Sequence, residues 1–185
     1  MLKLHIGCGP RILKGWVNID LKYQSPSHAY GDPADLRGTR EDLLVLDVTR
    51  EALPYDDDSV DLIFHEDFIE HLDQRDQICF LAETLRVLKR GCGHRINTPN
   101  LLQVCRTSDF SKGLHGVSTY PEWDRWHHKN VLTRAILEEL AFIVGYSQVI
   151  FNARNQSIFA GQLPLEFRPS IDRLEHENLY ADLIK

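Results

Sequence analysis

The chain has 185 residues, 43% of them hydrophobic, and a formal net charge of −6. That length fits one domain spanning 1–185 with a sizeable core. No apolar run approaches the roughly 20 residues of a membrane-spanning helix, and an acidic chain is poorly suited to displacing counterions from DNA or RNA. No basic-then-apolar leader opens the sequence. The four cysteines, Cys8, Cys79, Cys92 and Cys105, form no C-x-x-C pair. Neither a zinc site nor a disulfide framework is therefore expected, and free thiols point to the reducing cytoplasm.

In chain order, residues 2–6 read as a first strand, closed by Gly7, Cys8 and Gly9. Residues 16–19 read as a second strand ending at Asp20. A long polar connection marked by Pro26, Gly31, Pro33 and Gly38 leads to a third strand at 43–46, which ends at Asp47. The turn around Pro54 and Asp56-Asp57-Asp58 precedes a fourth strand at 60–64. All four runs are short and nearly continuously apolar, the pattern of parallel strands covered on both faces. Ile78, Leu81, Leu85 and Leu88 recur at helical spacing within 74–89, and Gly91 and Gly93 are expected to stop that helix. A fifth strand at 94–98, a polar and aromatic segment at 101–129, a second helix at 131–144 and a strand at 148–151 follow. The remainder has room for a last strand and a tail.

The chemistry starts at the first glycine turn. Strand, glycine turn, strand and acid is how an open α/β sheet builds a nucleoside site, with a carboxylate accepting from both ribose hydroxyls. A dinucleotide site also needs a full helix after the turn to meet the pyrophosphate. Residues 11–16 leave room for about one helical turn, and Gly15 weakens even that. A ligand with a ribose and no phosphate fits better, and S-adenosylmethionine is such a ligand.

The motifs LHIGCGP (4–10), GWVNIDL (15–21), LDV (46–48), LPYDDDSVDLIF (53–64), IEHL (69–72), ETLRVLKRGCG (83–93), INTPNL (96–101) and LEELAFIVGY (137–146) run in order along most of the chain. In this sequence of motifs the chain resembles the class I S-adenosylmethionine-dependent methyltransferases, in particular the small bacterial type 11-like members. The resemblance implies a three-layer Rossmann-like α/β fold with a mostly parallel doubly wound sheet and an antiparallel last strand. It implies S-adenosylmethionine as cofactor, with Gly7, Cys8 and Gly9 at the turn, Asp20 at the ribose, and Asp47 and Val48 at the adenine. Relatives carry K-P-G-G before strand five, where this chain has Lys89-Arg90-Gly91-Cys92-Gly93.

Methyl transfer from a sulfonium is an in-line displacement, so alignment supplies much of the acceleration and a base is needed only if the acceptor must lose a proton. His65 and Glu66, expected at the end of strand four, are the candidate catalytic pair. The family's histidine two places later is replaced by Asp67. Glu70 and His71 match the family's E-H-L piece and are expected to orient a helix start. His65-Glu66…Glu70-His71 is not H-E-x-x-H, and no metal is expected. The segment 101–130 carries His115, Tyr120, Trp123, Trp126, His127 and His128, and is expected to cover the acceptor, with His127 and His128 capping the second helix. The expected acceptor is a small molecule or a saccharide rather than nucleic acid. Two alternatives stay open: a non-catalytic S-adenosylmethionine-binding domain or partner subunit, and a nucleotide-binding oxidoreductase. The stunted first crossover argues against the second.

Overall fold

A computed structural model describes residues 1–25, 30–107, 109–113, 123, 126–167 and 174–185. Seven strands form one sheet in the order β3-β2-β1-β4-β5-β7-β6. They are β1 (Lys3–Ile6), β2 (Val17–Asp20), β3 (Leu43–Val45), β4 (Val60–Glu66), β5 (Leu88–Pro99), β6 (Gln148–Phe151) and β7 (Asn178–Ile184). β7 runs antiparallel to both of its neighbours, β5 and β6, and every other pairing is parallel. The expected α/β architecture with an antiparallel last strand is the one observed.

Leu4, Ile6, Ile63, Ile96, Ala181 and Leu183 project from one face of the sheet into the main core. Two helices cover that face: α1 (Gln74–Val87) and α3 (Arg134–Val144). Asp73 caps α1 by accepting from the Asp76 amide at 2.9 Å, and Thr133 caps α3 by accepting from the Ile136 amide at 3.1 Å. The histidines at 127 and 128 therefore do not cap α3. The buried stripe of α1 is Gln77, Phe80, Leu81, Thr84 and Val87, while Ile78 faces solvent. Gln77 takes the inward place because its amide donates to the Ile69 and Asn130 carbonyls.

The glycines after α1 do not stop it. The helix ends at Val87, and Gly91 and Gly93 lie inside the twelve-residue β5. Gly93 is required there, since a Cβ would stand 2.1 Å from the Phe159 ring. A short helix, α2 (Leu101–Thr107), follows β5.

The other face of the sheet is unusual. Between β1 and β2 no helix forms, and loops close over a small apolar cluster of Leu13, Trp16, Leu62 and Phe64. Beside it lies a buried ionic layer. Arg95, with no exposed surface, donates to Glu166 at 2.7 Å and approaches Asp182 at 3.3 Å. Arg11 bridges Glu66 at 2.5 Å and Asp32 at 2.8 Å.

Candidate functional site

Three parallel strands end at the same edge, and the chain turns sharply away from each of them. Gly7 and Gly9 both adopt positive φ, +62° and +53°, in the turn after β1. The Gly7 amide donates to the Ile19 carbonyl at 2.8 Å, which ties this turn to β2. At the end of β2 the Asp20 carboxylate accepts from the Gly9 amide at 2.8 Å through Oδ2 and from the Leu21 amide at 2.7 Å through Oδ1. The acid is thus locked in place by the glycine turn, with a lone pair on each oxygen still available.

A cavity of about 490 Å³ opens at this edge, within the range of small-molecule sites. Gly7, Asp20, Asp47 and Val48 line it together. Beyond β3, Asp47 folds its carboxylate onto the following turn, where Oδ1 accepts from the Thr49 hydroxyl at 2.6 Å and its amide at 3.0 Å. Those two bonds hold the Asp47 carboxyl below the usual range. On the β4 side the cavity wall is Asp67, Phe68 and His71, with Lys129 arriving from far along the chain. Asp67 has φ +46°, a conformation costly for a non-glycine residue. It turns the chain so that Phe68 packs directly over Gly7, where a Cβ would stand 2.2 Å from the Phe68 ring.

A second, smaller cavity of about 140 Å³ lies on the other side of the glycine turn, lined by Gly7, Cys8, Gly9 and Glu66 among others. Cys8 is 4% exposed, and burial followed by the charge of Asp20 pushes its thiol up to about 12. It is a small buried side chain whose surroundings disfavour the thiolate.

The candidate catalytic pair divides. β4 extends through Glu66, so His65 sits within the strand and not after it. Its ring is fully buried among Phe68, Phe80 and His94, and lines neither cavity. His65 Nδ1 lies 3.0 Å from His94 Nε2, and His94 Nδ1 lies 3.3 Å from the Tyr146 hydroxyl. Burial, reinforced by His94 and His5, holds His65 well below its ordinary range. Glu66 points to the opposite face, where Arg11 neutralises it and Asn97 donates to it at 3.1 Å. The polar residue in strand five thus faces this ionic layer. Of the aromatic segment, Trp123 and Trp126 line neither cavity, while residues 114–122, with His115 and Tyr120, lie outside the described residues.

Sequence reasoning missed Phe68 and Lys129. Phe68 follows the strand end directly and could have been read from that position. Lys129 carries no local signal, because only folding brings it to the β4 side.

Comparison with known proteins agrees with this fold. A methyltransferase from Archaeoglobus fulgidus, described as dependent on S-adenosylmethionine, superposes with a TM-score of 0.59 at 16% identity, covering 99% of this chain and 85% of that one. A Haloferax volcanii putative methyltransferase in complex with the Trm112 activator gives 0.56 at 19% identity, covering 99% and 81%. The Burkholderia thailandensis 1,6-didemethyltoxoflavin-N1-methyltransferase, with 1,6-didemethyltoxoflavin and S-adenosylhomocysteine bound, gives 0.55 at 13% identity, covering 100% and 70%. No curated protein sequence matches the chain. The family described as "Methyltransferase domain" matches residues 4–96, half of the chain. The chain belongs to that family, the class I S-adenosylmethionine-dependent methyltransferases.

Proposed function

We propose that the 490 Å³ cavity is the cofactor site and that the acceptor is a small molecule or saccharide entering on the β4–β5 side. Asp20 accepts from the two ribose hydroxyls, Asp47 and Val48 hold the adenine, and Gly7 lets the backbone approach the methionine part. Cys8 and Gly9 shape the turn from behind. The cofactor, when bound, supplies an electrophilic methyl group on a sulfonium. The single observation that carries this reading is Asp20, pinned by the Gly9 and Leu21 amides at the rim of the cavity with acceptor capacity to spare.

The chain's contribution to the reaction is alignment and exclusion of water, since an in-line displacement needs little else. Neither His65, sealed in the core, nor Glu66, neutralised by Arg11, is assigned the role of base. A small acceptor suits the net charge of −6, which disfavours nucleic acid. The Burkholderia thailandensis neighbour has 1,6-didemethyltoxoflavin, a small molecule, and S-adenosylhomocysteine bound. Acceptor choice is assigned to 101–130, which supplies Lys129 to the cavity wall. We place the protein as one domain in the cytoplasm, where its four free cysteines persist. Among the described residues no helix is long and apolar enough to cross a membrane.

Parallel calorimetric titrations with S-adenosylmethionine, S-adenosylhomocysteine and NAD test the assignment. The first two should bind one to one and NAD should give no heat. Binding of NAD alone would overturn it.

A further inference from the structure

We propose that Glu70, His71 and His128 form a binding site for a divalent transition-metal cation at the β4 side of the cofactor cavity. Their ligand atoms all lie within 4.8 Å of one another. Glu70 Oε1 stands 3.8 Å from His128 Nε2. The rings of His71 and His128 meet edge to face with centroids 4.7 Å apart. A cation holding nitrogen and oxygen at about 2.1 Å in a tetrahedral arrangement places its ligands ~3.4 Å from one another. Closing the Glu70–His128 distance to that value takes a few tenths of an ångström, within the reach of side-chain torsions.

The scaffold is built to hold these three groups. Glu70 and His71 belong to one 3-10 turn, Ile69–His71, directly after β4. The distant 128–130 segment is clamped to that turn by its backbone: the Lys129 and Asn130 amides donate to the Glu70 carbonyl at 2.8 and 3.1 Å. The Gln77 side chain fixes both partners, bonding Ile69 O at 2.9 Å and Asn130 at 2.8 Å and 2.7 Å. The Thr98 hydroxyl donates to Glu70 Oε2 at 2.8 Å, so the carboxylate is oriented with Oε1 toward His128. An outer hydrogen bond of that kind is what orients a metal-bound carboxylate. His127, immediately before, takes φ +57°, a strained backbone that delivers His128 to the cluster.

Two imidazoles and one carboxylate form the donor set of metal sites that keep positions open for water or substrate. His71 also lines the 490 Å³ cavity together with Asp67 and Lys129, which puts the cluster next to that cavity. The role there rests on the cofactor assignment above. An acceptor hydroxyl bound to the cation loses its proton to solvent more readily. Its oxygen then forms the new bond to the methyl carbon as the carbon–sulfur bond breaks, with that electron pair remaining on sulfur as the neutral thioether.

The test uses the full chain, stripped with a chelator and dialysed. Co²⁺ is followed by its visible absorption and Zn²⁺ by calorimetry, with Mg²⁺ as the hard-cation control. S-adenosylhomocysteine is titrated into the same samples. One equivalent of Co²⁺ or Zn²⁺ should bind. His71→Ala and His128→Ala should each weaken binding by about 100-fold or more, since loss of even an outer partner costs about 10–100-fold. His176→Ala, an exposed histidine elsewhere, should change nothing. If His128→Ala does not fold, the half-exposed His71 carries the test. Failure of the wild type to bind either metal, or unchanged affinity in the variants, overturns the site. Metal failure in samples that still bind S-adenosylhomocysteine leaves the cofactor assignment standing.

Discussion

Asp20→Ala is the most informative single change. In the folded chain Asp20 has two sets of duties: it accepts from the Gly9 and Leu21 amides at 2.8 and 2.7 Å, and its remaining lone pairs are assigned to the ribose. Hydrogen bonds to a charged group are worth about 1.5–3 kcal/mol each. Two to the ribose, discounted for non-additivity, come to about 2–4 kcal/mol, or roughly 30- to 1,000-fold in affinity. Asp20→Asn keeps the size but offers one neutral oxygen, so it should lose about tenfold. Both variants should fold, because the amides they release lie at a partly exposed rim where water can replace the carboxylate. Calorimetry with S-adenosylhomocysteine reads the affinity and circular dichroism confirms the fold. A folded Asp20→Ala protein that binds within about twofold of the wild type would mean that the ribose is held elsewhere.

Gly7→Ala combines a left-handed backbone with a Cβ 2.2 Å from the Phe68 ring, and should cost about 2–5 kcal/mol of stability in urea titrations. A loss below about 1 kcal/mol would show that Phe68 can move aside. Arg95→Ala should cost about 3–5 kcal/mol, because Glu166 and Asp182 would keep buried charge without their cation; near-wild-type stability would refute that account. His5 and His94 are held down to about 3, and His65 well below its ordinary value, mainly by burial. Below pH 6.5 the unfolded chain takes up protons that the folded chain refuses, at His5 and His94 until about pH 3. Stability should therefore be level above pH 6.5 and fall below it by about 1.4 kcal/mol per pH unit per histidine. Urea midpoints at pH 7.5 and pH 5 would then differ sharply, and equal midpoints would show that these rings can ionise without unfolding.

The strands were legible where the sequence is locally consistent. Apolar runs closed by Gly7, Asp20 and Asp47 all became strand ends at one edge, and the short interval before Val17 did exclude a helix. The reading weakened where partners come from afar. The polar run 89–93 looks like a helix end followed by a turn, yet it lies within β5, which β7 pairs with from Gly93 to Pro99. Arg95 and Asn97 are tolerable in a central strand only because Glu166, Asp182, Glu66 and Asn178 meet them there. The same limit governed the site. Glu70 and His71 are adjacent and were visible as a pair, whereas His128 joins them only through the Glu70 carbonyl clamp.

The place of β7 in the sheet has a consequence for synthesis. β6 is made before β7, yet β7 is its neighbour in the sheet and stands between it and β5. Until residues 178–184 are in place, both β5 and β6 lack the partner that pairs with them, and an unpaired strand edge is able to recruit another chain. Only when residues 178–184 emerge are both edges satisfied at once. A chain lacking residues 178–184 therefore carries two unpaired edges that the complete sheet does not, the condition under which one chain recruits another.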